Sequence, residues 1–389
     1  MNRIRQLWRR ALDHLPIDGF YFGRPLVLFQ SDDWGRVGVR DKEGLEQLRL
    51  AGIALGERPY DFYALENSDD LIAIAATLKH HRDSSGQHPC LGMNFVVANL
   101  NCAAAIVNPA AGLRFLQLAE ELPEGWQRPN LLEAYQRGIA DGIFRPALHG
   151  TSHFCTPAVE RNRASRGERA QLLETFWRSG TPYIHWRMPW VGYEYWDPEQ
   201  PKDKRFLSAE VQREMIGHSI GGFARLFSAL PRSACAPGYR ANDDTHRAWA
   251  QHGIRVAQNG PETVLPPHFD RHQLLHLSRA VEFEPAVDSS FSLEQCLEKA
   301  ERCFRRGIPA IVSVHAINFH STLRDFRTAT LQVLDQFLTG LETRHSDLLY
   351  LCDEDLYDLV ERGNYRASGR DVTVTVTRKK FSRADTRQL

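Results

Sequence analysis

The chain has 389 residues, enough for one large α/β domain or two smaller ones, and its 48 Lys and Arg balance its 48 Asp and Glu. That neutrality excludes a globally basic nucleic-acid binder and a strongly acidic solvating chain. The seven cysteines (Cys90, Cys102, Cys155, Cys235, Cys296, Cys303 and Cys352) are scattered and never form C-x-x-C, which argues for reduced thiols and against a disulfide framework or zinc knuckle.

In the opening stretch, Ile4, Leu7, Trp8, Ala11, Leu12 and Leu15 fall at helical spacing, flanked by Arg3, Arg5, Arg9 and Arg10. Residues 1–23 therefore read as an amphipathic segment, packed on the body of the protein or lying on an anionic membrane surface. It lacks an apolar stretch of signal-peptide length, and no run of about 18 apolar residues occurs anywhere. The expectation is a soluble cytoplasmic chain, with the inner face of the membrane as an alternative site of residence.

Short apolar runs follow at 25–31, 90–98, 144–150, 233–238, 253–258, 309–316 and 347–352, of lengths that suit strands buried on both faces. Between them, 112–122, 292–307 and 329–344 have helical patterns, and strand alternating with helix predicts a parallel sheet, open or closed as a barrel. The stretch 183–205 breaks the rhythm and reads as an insertion extending to about 215. It packs Tyr183, Trp186, Trp190, Tyr193, Tyr195 and Trp196 together, as a platform for sugar faces or as its own small core. At the end, Val372, Val374 and Val376 alternate with Thr and predict an added edge strand before a basic tail. That tail, with Arg366, Arg370, Arg378, Lys379, Lys380, Arg383 and Arg387, is solvated or touches lipid phosphates. The resulting division is 1–23, a body at 24–362 and an extension at 363–389.

Four apolar runs end in reactive groups: Asp32-Asp33, His149, Gly238-Tyr239-Arg240 and His315. In parallel α/β folds the carboxyl ends of the strands share one face, so these residues would converge on one pocket. His149 and His153, four apart, with one carboxylate would make a three-ligand site with an open position for zinc or a related divalent ion. The cation would also explain two adjacent acids: one binds it while its neighbour stays ionised to accept a proton. A rival ligand set is His268, His272 and His276, although the residues around them read as extended, which would separate the imidazoles onto alternate faces.

The motifs in order resemble the polysaccharide deacetylases, or NodB-homology domains, of carbohydrate esterase family four. "SDDWG" resembles their acid pair, "HGTSH" their paired histidines, "APGYR" their Pro-aromatic motif and "VSVHAINFH" their strand-end histidine. "HGTSH", "APGYRAN", "FEP" at 283–285 and "HAIN" are closer still to a bacterial polysaccharide (de)acetylase subgroup. The resemblance implies a distorted (β/α) barrel of about seven strands and metal-assisted removal of an N- or O-acyl group, acetyl or formyl, from a sugar or glycan precursor. It implies that Asp33, His149 and His153 hold the metal, that Asp32 is the general base and His315 the general acid, and that the Tyr239 backbone N–H stabilises the oxyanion. Trp34, Trp190, Asn242 and Asn318 are the expected substrate contacts. The chain departs from the family in Trp34-Gly35 after the acids, Gly150 after the first histidine, and Ala236 where an arginine normally orients the base. Arg240 or Arg279 is left to do that work. Two other functions remain open: a catalytically silent glycan-binding barrel, and a glycosidase using Asp32 and Glu284.

Overall fold

A computed structural model describes residues 16–108, 110–367 and 369–382. Its centre is a largely parallel sheet flanked by helices. The strands used below are β1 (Ile17–Phe22), β2 (Leu26–Trp34), β3 (Leu91–Phe95), β4 (Phe144–Leu148), β5 (Ser233–Cys235), β6 (Val256–Asn259), β7 (His268–Phe269), β8 (Leu275–Ser278), β9 (Val281–Glu282), β10 (Ala310–His315), β11 (Leu349–Tyr350) and β12 (Val376–Phe381).

Every residue of β2 is buried, its apolar start, 26–29, as a strand covered on both faces requires, and its polar end among hydrogen-bond partners. Along the sheet the order is β9, β10, β2, β3, β4, β5, β6, β8, β7, with β11 also pairing with β2 and only β7 antiparallel. Residues 275–283 lie at both ends of this path. Their first part runs beside β6 and their last beside β10, where Ala280 N donates to Ile311 O and Phe283 N to Ser313 O. The register sets His315 opposite Asp32. Side chains at the carboxyl ends of β2 and β10 therefore meet before any loop contributes.

The helices Leu293–Arg305 and Arg327–Arg344 occupy the predicted 292–307 and 329–344, and the Ser292 side chain accepts from Gln295 N at the first helix's start. The pattern at 112–122 is not a helix. Phe115–Gln117 pairs as a strand with Ala98–Leu100, and Leu118 N donates to Val97 O, so tertiary pairing overrides the local period. The C-terminal Val/Thr alternation also divides differently from the expected single edge strand. Arg370–Thr373 forms a ribbon with Asn364–Ala367, whereas β12 pairs antiparallel with β1 from Ile17↔Phe381 to Phe22↔Val376. The amphipathic pattern at 4–15, along with Arg383 and Arg387, lies outside the described residues. Among the described residues no helix is long and apolar enough to cross a membrane.

Leu28 is 1% exposed at the middle of β2, the strand that carries both aspartates. Leu28→Ala should cost about 2–5 kcal/mol through lost burial and the cavity left behind, read as a lower urea midpoint at unchanged m.

Candidate metal centre and active site

At the end of β2 the chain makes the turn that separates the two acids. The pairing of β2 with β3 shifts register between Ser31 and Trp34, and Asp33 adopts φ +76°. For a residue with a Cβ that conformation is strained, and neighbours hold it in place. Tyr63 donates its hydroxyl proton to Asp33 O at 2.6 Å, and Gly35, at φ +74°, donates its N–H to buried Glu66 at 2.8 Å. The two carboxylates consequently face different partners.

Asp33 turns toward the histidines. Its Oδ1 lies 3.0 Å from His153 Nε2 and 3.7 Å from His149 Nε2, and it is buried without an accepted hydrogen bond. Its Oδ2 takes a hydrogen bond from Arg36 Nη2 at 3.1 Å. Burial opposes the charge of Asp33, but Arg36 and His153 hold its carboxyl well below the usual carboxylate range. His149 follows β4, and its Nδ1 is 2.9 Å from the carbonyl oxygen of Cys235. A carbonyl only accepts, so the His149 proton sits on Nδ1 and Nε2 keeps its lone pair. His153 Nδ1 is 2.8 Å from the Tyr183 hydroxyl. Burial lowers the affinity of both imidazoles for a proton, that of His153 to about 3, against the pull of the nearby acids. A neutral histidine pair beside an ionised carboxylate with an unused buried oxygen fits a divalent cation by its donor chemistry.

Asp32 turns the other way. Arg279, 0% exposed, grips it with Nη1 to Oδ2 and Nη2 to Oδ1, both 2.7 Å, and Asn94 Nδ2 donates to Oδ1 at 2.6 Å. Burial alone would raise its pKa, but Arg279, with contributions from His149 and His315, brings it far below normal. Across the mouth, His315 Nε2 stands 3.9 Å from Asp32 Oδ2, while its Nδ1 lies 2.6 Å from Glu284 Oε1. Burial disfavours the imidazolium, yet Glu284 and the two aspartates outweigh it and raise the His315 pKa to about 9. Near neutral pH this histidine is a cation.

The insertion supplies one wall. Tyr183, His185, Trp186 and Tyr193 line a cavity of about 320 Å³ together with Asp32, Asp33, Arg36, Tyr60, Tyr63, His149, His153, Tyr239 and His315. It also explains Gly150. A Cβ there would stand 1.7 Å from Glu194 Oε2, because the fully buried Glu194 carboxylate receives the Thr151 N–H at 2.9 and 2.8 Å to its two oxygens. Burial raises Glu194 to about 7 despite these backbone donors. Gly238 is similarly required, since its Cβ would lie 2.4 Å from the Tyr193 ring.

Several sequence expectations are corrected. Trp34 is 0% exposed, stacks on Phe319 and donates to Ser31 Oγ, so it is core and touches no substrate. Trp190 lies beside Arg169 in the buried cluster that also holds Tyr183, and does not itself line the cavity. Asn242 caps the helix Asp243–Gln251 by accepting from Thr245 N. Asn318 is fully buried and donates to Glu284 Oε2 at 2.6 Å, touching the His315 partner in place of a ligand. Arg240 lies over the Trp196 ring, and Arg279 is the arginine on Asp32. The Tyr239 backbone N–H donates to Ala236 O at 2.8 Å and so is not free to face an oxyanion.

The rival histidines do not converge. His272 pairs with Asp243, while His268 and His276 stack on neighbouring strands. His276 does approach Asp270 and His246, a second grouping separate from the one the sequence suggested, with its Nε2 3.2 Å from Asp270 Oδ2 and its Nδ1 3.2 Å from Asn259 Nδ2.

Sequence reasoning missed Arg36, Asn94 and Glu194. None carries a motif signal, because each acts only through a fold-made contact.

No family profile matches the sequence, and neither does any curated protein. Among solved structures the chain is similar to a candidate glycoside hydrolase/deacetylase from Parabacteroides distasonis (TM-score 0.48, 11% identity, covering 90% of this chain and 76% of that one). It is also similar to a family 4 carbohydrate esterase from Streptomyces lividans, solved with acetate (0.34, 10%, 85% and 92%). A third is a CE4 family pseudoenzyme from Bacillus anthracis (0.35, 11%, 84% and 63%). At such identities the side-chain geometry of the site is what carries chemistry.

Gly150, at φ +91°, tolerates neither a Cβ nor the hydroxyl residue usual in the resembled motif. Gly150→Ser should cost about 2–4 kcal/mol from crowding and backbone strain, seen as a lower thermal midpoint. Adding Glu194→Ala should recover part of that loss.

Proposed function

We propose that the protein is a metal-dependent hydrolase that removes an acetyl or formyl group from an N- or O-acylated sugar. The observation that carries this reading is the buried Asp33 Oδ1, which accepts no well-aligned hydrogen bond and stands 3.0 and 3.7 Å from two imidazole Nε2 atoms, with an independently held acid and base at the rim. Three ligands and an open position suit zinc or another transition metal, which would supply Lewis acidity toward the acyl carbonyl and an attacking water.

The chain's own residues do the rest. Asp32, kept ionised by Arg279, accepts the proton of the attacking water. Its orienting arginine comes from residue 279, in place of the motif position occupied by Ala236. His315, charged through Glu284 on Nδ1, presents Nε2–H to the departing amine or alcohol. Asn318 holds Glu284 directly, its Nδ2 donating to the carboxylate, and is itself fixed by Ala286 N, which donates to Asn318 Oδ1. Tyrosine and tryptophan walls suit the apolar faces of a sugar, and the cavity has room for about one ring and its acyl arm.

We infer that residues 275–283, shared between β6 and β10, join the sheet's ends into the distorted seven-strand barrel, with 24–362 as the catalytic body. No observation favours the glycosidase. Asp32 is bound bidentately by Arg279, and Glu284 is taken by His315 and Asn318, so neither carboxyl is left free to face a glycosidic oxygen.

A panel of free, nucleotide-linked and lipid-linked acyl sugars, assayed for liberated carboxylic acid, tests the reading. Metal retained with no acid released from any of them would favour the silent glycan-binding barrel. Asp32→Asn should keep the metal and lose at least about 10²–10⁴-fold in kcat, whereas Asp33→Asn and His149→Ala should lose the metal itself by elemental analysis.

The competent form of His315 is protonated, so kcat should hold at lower pH and decline on the alkaline side, with the cation's charge bringing that limb below the metal-free value of about 9. Glu284→Gln removes the main stabilising charge and should move that limb toward neutral pH in a pH–rate profile.

A further inference from the structure

The metal ligands are supported unequally. His149 is locked by a carbonyl that only accepts, but His153 faces a hydroxyl, which both donates and accepts. That hydroxyl belongs to Tyr183, at the start of the insertion, and it is not isolated. Arg36 Nη1 donates to it at 3.1 Å while Nη2 of the same guanidinium donates to Asp33 Oδ2 at 3.1 Å. The guanidinium is fixed in turn by the Tyr63 ring, 3.9 Å from its Cζ. Asp33, Arg36, Tyr183 and His153 thus form a closed circuit, ending where His153 Nε2 approaches Asp33 Oδ1 at 3.0 Å.

We propose that Tyr183, pinned by Arg36, is the positioning residue that makes His153 a metal ligand and so couples the insertion to the metal centre. This rests on the cation reading above. Ligation through Nε2 requires the His153 proton on Nδ1, and in a site this buried that N–H needs an acceptor. One lone pair of the Tyr183 oxygen is occupied by Arg36, the second takes the His153 N–H, and the hydroxyl proton is left to the cavity that Tyr183 lines. Arg36 simultaneously occupies Asp33 Oδ2, which leaves Oδ1 as the single ligand oxygen. The left-handed backbone of His153, φ +66°, aims the ring into this circuit, and Tyr183 is 4% exposed.

Cobalt(II) titration of the metal-stripped full chain, followed by its visible d–d bands and by chelator competition, tests the proposal without any activity readout. Tyr183→Phe should bind cobalt about 10–100-fold more weakly, with shifted bands, as expected for loss of an outer hydrogen bond to a ligand. Trp190→Phe, an insertion aromatic off the cavity, should leave affinity and bands unchanged. If Tyr183→Phe fails to fold by circular dichroism, Arg36→Lys serves instead. An ammonium cannot bridge Asp33 Oδ2 and the hydroxyl together as the planar guanidinium does, so a loss of similar size is expected. Wild-type affinity and bands in a folded variant would overturn the role of Tyr183. A wild-type chain that binds no cobalt would instead overturn the metal reading itself.

Discussion

The site depends on one buried charge. Arg279 sits at the point where residues 275–283 pass from β6 to β10, and its guanidinium reaches Gln30 and Asp32 of β2, Cys235 of β5, Gln258 of β6, Ser313 of β10 and the Tyr239 hydroxyl. Removing such a cation and its carboxylate from water costs several kcal/mol per ion, and only bidentate geometry with every donor occupied offsets it. Here all those conditions are met. The same contact holds four strands in register and keeps Asp32 ionised in a place where burial would otherwise neutralise it.

With the charge of Asp32 balanced by Arg279, Asp33 is free to face a different partner. Adjacent acids on a regular strand would point to opposite faces. The register shift after Ser31 and the left-handed Asp33 bring both to the rim of one cavity while giving each its own counter-charge, Arg279 for one and Arg36 for the other. The repulsion implied by two neighbouring carboxylates is thereby shared out between two arginines.

Much of this was legible in the sequence because it lies on strands. Short apolar runs mark β2, β3, β4, β5, β6 and β10, and the polar groups at or just after their ends point to Asp32, Asp33, His149, His153 and His315. What the sequence did not show is made by tertiary contact. Residues 112–122 have a helical period but pair as a strand with Ala98–Leu100. Asn242 and Asn318, placed by motif, prove to be a helix cap and a support for Glu284. Trp34 is conspicuous in a motif, yet it is fully buried and stacked on Phe319. The insertion was undivided in sequence, but its aromatics separate in space: Trp190 and Tyr195 are packed inside, while Tyr183, Trp186 and Tyr193 face the cavity.

The ribbon of β1 and β12 has a topological consequence. With Ile17 opposite Phe381, the first and last strands described lie side by side and antiparallel, held by six successive residue pairs. A short peptide could bridge them, and new termini could be opened at the exposed turn 201–204, which belongs to no strand or helix. The order in which the segments are joined is therefore separable from the arrangement that brings Asp32, Arg279 and His315 together, and a circularly permuted chain would rebuild the same pocket from a different starting point.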